Sequence, residues 1–174
     1  MVLGGARLHG LDGIDDQVDQ GNVELAHVGV EVRLGRRLHA IEGVGPDVNG
    51  WDFLKFAPTR GGHLIRAEEN PALLAELVKR NVTFELCPTS NVLLVGKYDT
   101  DFSNYPGRAY FDAGAKITIN TDDPGLLGCT IGGEYKIAHD TLGFSPNELV
   151  DITKNAIRAA YVDETTRQNM MQKV

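Results

Sequence analysis

The chain has 174 residues, 42% hydrophobic and 24% charged, and 17 basic against 24 acidic side chains leave a net charge of -7. That length and composition describe roughly one globular domain and exclude a disordered tail. The acidic balance, with a pI near 5.2, excludes the basic footprint of a nucleic-acid binder, and no apolar run approaches the roughly 18 residues of a membrane span.

In chain order, residues 1–35 form a poorly patterned segment, rich in glycine and acids, where only 28–34 alternates as a strand does. Residues 36–174 are orderly. Strands are expected near Arg36–His39, Arg60–Leu64, Val82–Cys87 and Lys116–Thr121. Asn70-Pro71 opens a helix with Leu73, Leu74, Leu77 and Val78 as its apolar stripe. A short helix is expected over Gly107–Ala113, stopped by Gly114 in the left-handed region. Another covers Ile131–Leu142, and Ser145-Pro146-Asn147-Glu148 is a capping box opening a third. Asp163 caps a last helix running through Met171. Strands alternating with helices and joined by short loops imply a parallel sheet, either a small open one or part of a barrel.

The reactive side chains fall at or just past the carboxyl ends of the expected strands: His39, His63, the Pro88-Thr89-Ser90-Asn91 stretch, and Asp122-Asp123. In a parallel α/β fold these ends share one face, where sites are built. His39 with Glu42 places an imidazole and a carboxylate three residues apart, suited to a metal ligand and a proton carrier, or equally to a surface loop. His63 follows two glycines that permit close backbone approach, or it is structural. Adjacent Asp122 and Asp123 call for a cation or a proton, unless they cap the helix that Pro124 opens. The two cysteines, Cys87 and Cys129, form neither a disulfide framework nor a zinc knuckle. Cys87 reads as a small buried residue, and nothing fixes an approach of Cys129 to His139. With an opening that lacks a basic-then-apolar signal, the chain reads as cytoplasmic. No phosphate-binding glycine loop occurs.

These residues resemble the adenosine/AMP deaminase family of metal-dependent nucleoside deaminases. His39-Ala40-Ile41-Glu42 is similar to the family's His-Ala-Gly-Glu block, and Arg60-Gly61-Gly62-His63 to its Arg-Ile-Gly-His-Gly block. Glu85 to Asn91 and Asn120 to Pro124 match it nearly letter for letter, and the resemblance covers about residues 36–174. It implies the C-terminal half of a (β/α)8 TIM-type barrel, with parallel strands and flanking helices, whose open edges invite self-association. It further implies a zinc hydrolase that converts adenosine or a related purine to the 6-oxopurine and ammonia. On that resemblance His39 and Asp122 are zinc ligands, His63 orients or deprotonates the attacking water, Glu42 protonates a purine ring nitrogen, and Asp123 binds another. A small-molecule purine nucleoside is the expected partner, with no nucleic acid and no membrane.

Two departures bear on this reading. The family's His-x-His ligand pair has no counterpart among His9, His27, His39, His63 and His139. Ile41 and Leu64 replace family glycines, which is expected to add bulk where the purine or metal approaches. A whole barrel needs roughly 200–250 residues, so the alternative is a truncated, catalytically silent fragment or purine-binding module lacking the full zinc site.

Overall fold

Among the described residues, four strands of four residues each carry the fold: β1 (Arg37–Ala40), β2 (Arg60–His63), β3 (Thr83–Leu86) and β4 (Lys116–Ile119). They are all parallel and lie in the order β1-β2-β3-β4. The computed structural model describes residues 36–98 and 101–174. The anticipated strand at 28–34, His9 and His27 lie outside the described residues.

Parallel pairing requires a crossover between successive strands. Helix α1 (Pro46–Lys55) joins β1 to β2, α2 (Pro71–Lys79) joins β2 to β3, and α3 (Pro88–Leu94) with α4 (Gly107–Asp112) joins β3 to β4. After β4 come α5 (Pro124–Leu127), α6 (Ile131–Asp140), α7 (Pro146–Ala159) and α8 (Glu164–Met171). The last three strands lie within their expected ranges, and β1 begins one residue later than expected.

Two helices, α1 and α3, fall where the sequence reading places no element. α1 contains Asp47, Asn49 and Gly50, all poor helix formers. It forms because Gly50 lets it approach the core: a Cβ there would stand 2.3 Å from Leu73 Cδ2. In α3, Pro88 occupies the first helical turn, where its missing N–H costs nothing.

Helices α2, α6, α7 and α8 each start at a side-chain cap. Asn70 accepts from Leu73 N at 3.0 Å at the start of α2. Thr130 accepts from Gly133 N at 3.1 Å before α6. Ser145 and Glu148 form the capping box of α7, and Asp163 accepts from Thr166 N at 2.8 Å before α8. Gly114 ends α4 at φ +83°, as anticipated.

Strand β3 is buried along its whole length and β2 nearly so, the pattern of central strands covered on both faces. Phe84 and Ile117 from the sheet meet Leu73 and Leu77 of α2, Tyr110 of α4 and Ile152 of α7 in the core. The single buried acid of β3, Glu85, is satisfied at the start of the sheet. Arg60 Nε donates to its Oε1 at 2.5 Å and Arg37 Nε donates to Oε2. Pairing of this kind is what allows a carboxylate to stay buried. Among the described residues β1 and β4 each pair on one side only.

Candidate active site

Three of the four strands leave the sheet through left-handed backbone. Ile41 follows β1 at φ +57°, His63 ends β2 at +61° with Leu64 at +53°, and Asp122 follows β4 at +60°. None is a glycine, and each such residue costs on the order of 1–3 kcal/mol unless its surroundings enforce it. The enforcement around His63 is visible. Leu64 N donates to Ala40 O at 3.3 Å and Arg66 N to Ile41 O at 3.2 Å, tying the turns after β1 and β2 together. Tyr98 donates its hydroxyl to Ile65 O at 2.9 Å, and the Tyr110 hydroxyl lies 3.0 Å from the same carbonyl.

This geometry corrects one expectation. Ile41 and Leu64 add no bulk to the site, because both side chains are fully buried in the core. The left-handed backbone turns them inward, Ile41 toward Gly50 and Leu64 onto Gly61.

His39, Glu42 and His63 come together as the sequence reading expects. Their ligand atoms lie within 4.8 Å of one another. The two imidazole rings are 4.4 Å apart at a 48° tilt. The Glu42 carboxylate reaches both, with one oxygen 3.8 Å from His39 Nε2 and the other 3.4 Å from His63 Nδ1. Gly62, paired with His39 in the register, makes room: a Cβ there would sit 2.9 Å from His39 Nδ1.

The electrostatics follow from burial. His63 is buried and its imidazole is pushed down to about 4, first by desolvation and then by His39, with Asp122 opposing. Glu42 is half-buried and raised above the usual carboxylate range by desolvation, with His39 opposing and Asp122 adding to the rise. An imidazole whose proton affinity is lowered beside a carboxyl whose proton affinity is raised is a pair suited to proton traffic.

Helix α3 supplies contacts to which the sequence reading gives no role. Ser90 Oγ donates to Asp122 Oδ2 at 2.6 Å, and Asn91 Nδ2 lies 2.8 Å from His63 Nδ1. Glu134 of α6, fully buried, accepts from Thr89 N at 3.0 Å and so holds the start of α3. The Pro88–Asn91 stretch is visible in sequence as polar residues at a strand end. Glu134 carries no such signal, since its contact is made only in space. Asp123 stands next to Asp122, exposed, as the N-cap residue of α5 without a side-chain cap bond.

Cys87 is buried as expected, and burial pushes its thiol far up, away from nucleophile chemistry. Cys129 and His139 form no pair: Cys129 Sγ donates to Thr121 O at 3.4 Å, and His139 Nδ1 donates to Phe144 O at 2.8 Å.

Imidazole nitrogen and carboxylate oxygen are the donors that hold a zinc ion; His39 offers one at this cluster, and the Asp122 carboxylate lies outside the group that His39, Glu42 and His63 form. Among the described residues no helix is long and apolar enough to cross a membrane.

A family model described as adenosine deaminase matches residues 25–174. An adenine deaminase of Agrobacterium fabrum is 36% identical over 143 residues, covering 81% of this chain and 43% of the relative. The chain thus spans less than half the length of that curated relative. Among solved structures, the adenine deaminase of Arthrobacter aurescens superposes with a TM-score of 0.73 at 23% identity, over 98% of this chain and 50% of the other. A zinc-bound amidohydrolase from Burkholderia ambifaria gives 0.65 at 28% identity, over 78% and 38%. The four-stranded parallel sheet with its helices is therefore part of a (β/α) barrel.

Proposed function

The chain belongs to the adenosine deaminase family, and from that premise we propose that it carries the proton-transferring part of a purine deaminase site. The reaction is hydrolysis at C6 of a 6-aminopurine: the water oxygen bonds to C6, the exocyclic nitrogen departs as ammonia, and the 6-oxopurine remains. Adenosine is the substrate that the sequence resemblance implies. Adenine is the one named by the Agrobacterium relative, so both belong in the test.

The observation that carries this reading is the convergence of His39, Glu42 and His63 within 4.8 Å at the carboxyl ends of β1 and β2. His39 and Asp122 would hold the divalent cation, and zinc in the Burkholderia structure supports its identity. When bound, such a cation lowers the pKa of water and polarises it for attack. Glu42 keeps its proton more readily than an ordinary carboxylate and delivers it to a ring nitrogen, making C6 electrophilic. His63 hydrogen-bonds the attacking water. Asp123, exposed beside Asp122, binds a second ring nitrogen.

Two free cysteines support a reducing, cytoplasmic setting. The one-sided pairing of β1 and β4 supports association of the chain through its sheet edges.

The 43% span favours the alternative of a silent piece of the enzyme. Ammonia release from adenine and from adenosine, measured with zinc-supplied protein and with Glu42→Gln, separates the two. Release that disappears in Glu42→Gln supports the deaminase reading. Folded protein that releases none from either substrate supports the silent piece.

A further inference from the structure

We infer that Asn91 is a positioning residue that holds His63 in the tautomer with its hydrogen on Nε2, which keeps His63 out of the metal-ligand set and makes it a hydrogen-bond donor. The catalytic consequence rests on the deaminase reading; the tautomer itself does not.

The carboxamide of Asn91 is fully buried. Its Oδ1 lies 3.1 Å from Cys87 N and 3.1 Å from the Tyr105 hydroxyl. A backbone N–H can only donate, so the atom facing it must be the oxygen. The orientation of the carboxamide is thereby fixed by its own network, with Nδ2 toward His63. An amide nitrogen can only donate as well. At 2.8 Å from Nδ2, His63 Nδ1 must therefore present a lone pair. The hydrogen of the neutral ring is then on Nε2. Glu42 Oε1 is farther from the same nitrogen, at 3.4 Å, and does not displace Asn91.

Two consequences follow. Metal coordination needs an imidazole lone pair. In His63 the Nδ1 lone pair is taken by Asn91, and Nε2 has none while it carries hydrogen. His63 thus stays apart from a cation held by His39, although both rings lie in the same cluster. Second, the nitrogen left for water or substrate is an N–H, so His63 orients its partner by donating to it. The ring cannot evade this arrangement by a backbone shift, because His63 sits at φ +61° and the next carbonyls are held by Tyr98 and Tyr110.

The test is a long-range proton–nitrogen spectrum of the imidazoles in the nitrogen-15-labelled full chain, metal-free, at about pH 8 where an ordinary histidine is neutral. The His63 signals are identified by their loss in His63→Gln. The expected pattern is protonated Nε2 with bare Nδ1. In Asn91→Asp an acceptor replaces the donor facing Nδ1 while Cys87 N keeps its acceptor, and His63 is expected to switch to protonated Nδ1. On adding zinc to the wild type, the His39 pattern should change and that of His63 should not. Wild-type His63 with its hydrogen on Nδ1, or averaging between both tautomers, overturns the inference. So does an unchanged His63 pattern in folded Asn91→Asp. Should Asn91→Asp fail to fold, the wild-type spectrum decides alone. Absence of deamination would overturn the functional reading and leave the tautomer untouched.

Discussion

Ser90 and Asp122 are joined by a 2.6 Å hydrogen bond that links the first turn of α3 to the left-handed residue beyond β4. The hydroxyl donates to Oδ2, leaving Oδ1 of an exposed carboxylate to point elsewhere. A group that orients a metal-binding carboxylate in this way typically tunes affinity by about 10–100-fold. Ser90→Ala is therefore expected to weaken zinc binding by roughly that factor while costing stability only about 1–2 kcal/mol. Calorimetric zinc titration with a parallel urea unfolding curve checks both. Unchanged zinc affinity would remove Asp122 from the ligand set.

Gly62→Ala places a methyl group 2.9 Å from His39 Nδ1, closer than side chains approach. The His39 ring must move away from His63, from which it now stands 4.4 Å. The expected result is zinc affinity lowered by about tenfold or more, with a stability cost of about 1–3 kcal/mol for overpacking. Gly43→Ala is the control, because nothing lies within 4 Å of its added Cβ. Equal zinc affinity in the two variants would contradict the stated role of Gly62.

The depressed value of His63 predicts a pH dependence of folding. Above its unfolded value near 6.5 both states are neutral, and the contribution of the buried ring is intact. As pH falls from 6.5 toward about 4, the unfolded chain takes up a proton that the folded ring refuses, and stability falls. The loss is on the order of 3 kcal/mol across that window. Glu42, raised above 4.5, acts in the opposite sense, since the folded state binds its proton first as pH falls. Urea unfolding of metal-free wild type and His63→Gln from about pH 7.5 to 4.5 separates the two. The wild type should lose stability relative to His63→Gln on acidification, and parallel curves would refute the assignment.

Ile41 combines full burial with φ +57°, an unfavourable backbone for a branched side chain. Removing the side chain costs about 2–5 kcal/mol in lost packing, whichever small residue replaces it. Relief of the left-handed strain, about 1–2 kcal/mol, comes only with glycine. Ile41→Gly should thus be less destabilised than Ile41→Ala by about 1 kcal/mol, the reverse of the usual order. Thermal unfolding of the two variants checks the order.

The sequence makes the parallel architecture legible because the strands end in turn chemistry and α2, α6, α7 and α8 start at local caps. Asn70, Ser145 and Asp163 act locally, within three residues of the groups they satisfy. The convergence of His39 and His63 is legible too, since both end adjacent parallel strands. Ser90 and Asn91 stand out as polar residues after a strand and as the end of the Glu85–Asn91 block, but their partners, 32 and 28 residues away, are fixed by packing. The role of Glu134 is not legible either, because its contact lies 45 residues back in the chain. The inward turn of Ile41 and Leu64 is equally invisible. Substituting bulk for glycine reads as obstruction until the left-handed backbone shows where the side chains go.

The most direct test supplies purified protein with zinc and follows adenine and adenosine in heavy-oxygen water by mass spectrometry. The expected product is a 6-oxopurine carrying one heavy oxygen from the solvent, with one ammonia per product and no product with Glu42→Gln. Product that persists unchanged in Glu42→Gln, or substrate left intact by folded, zinc-supplied protein, would contradict the deaminase reading.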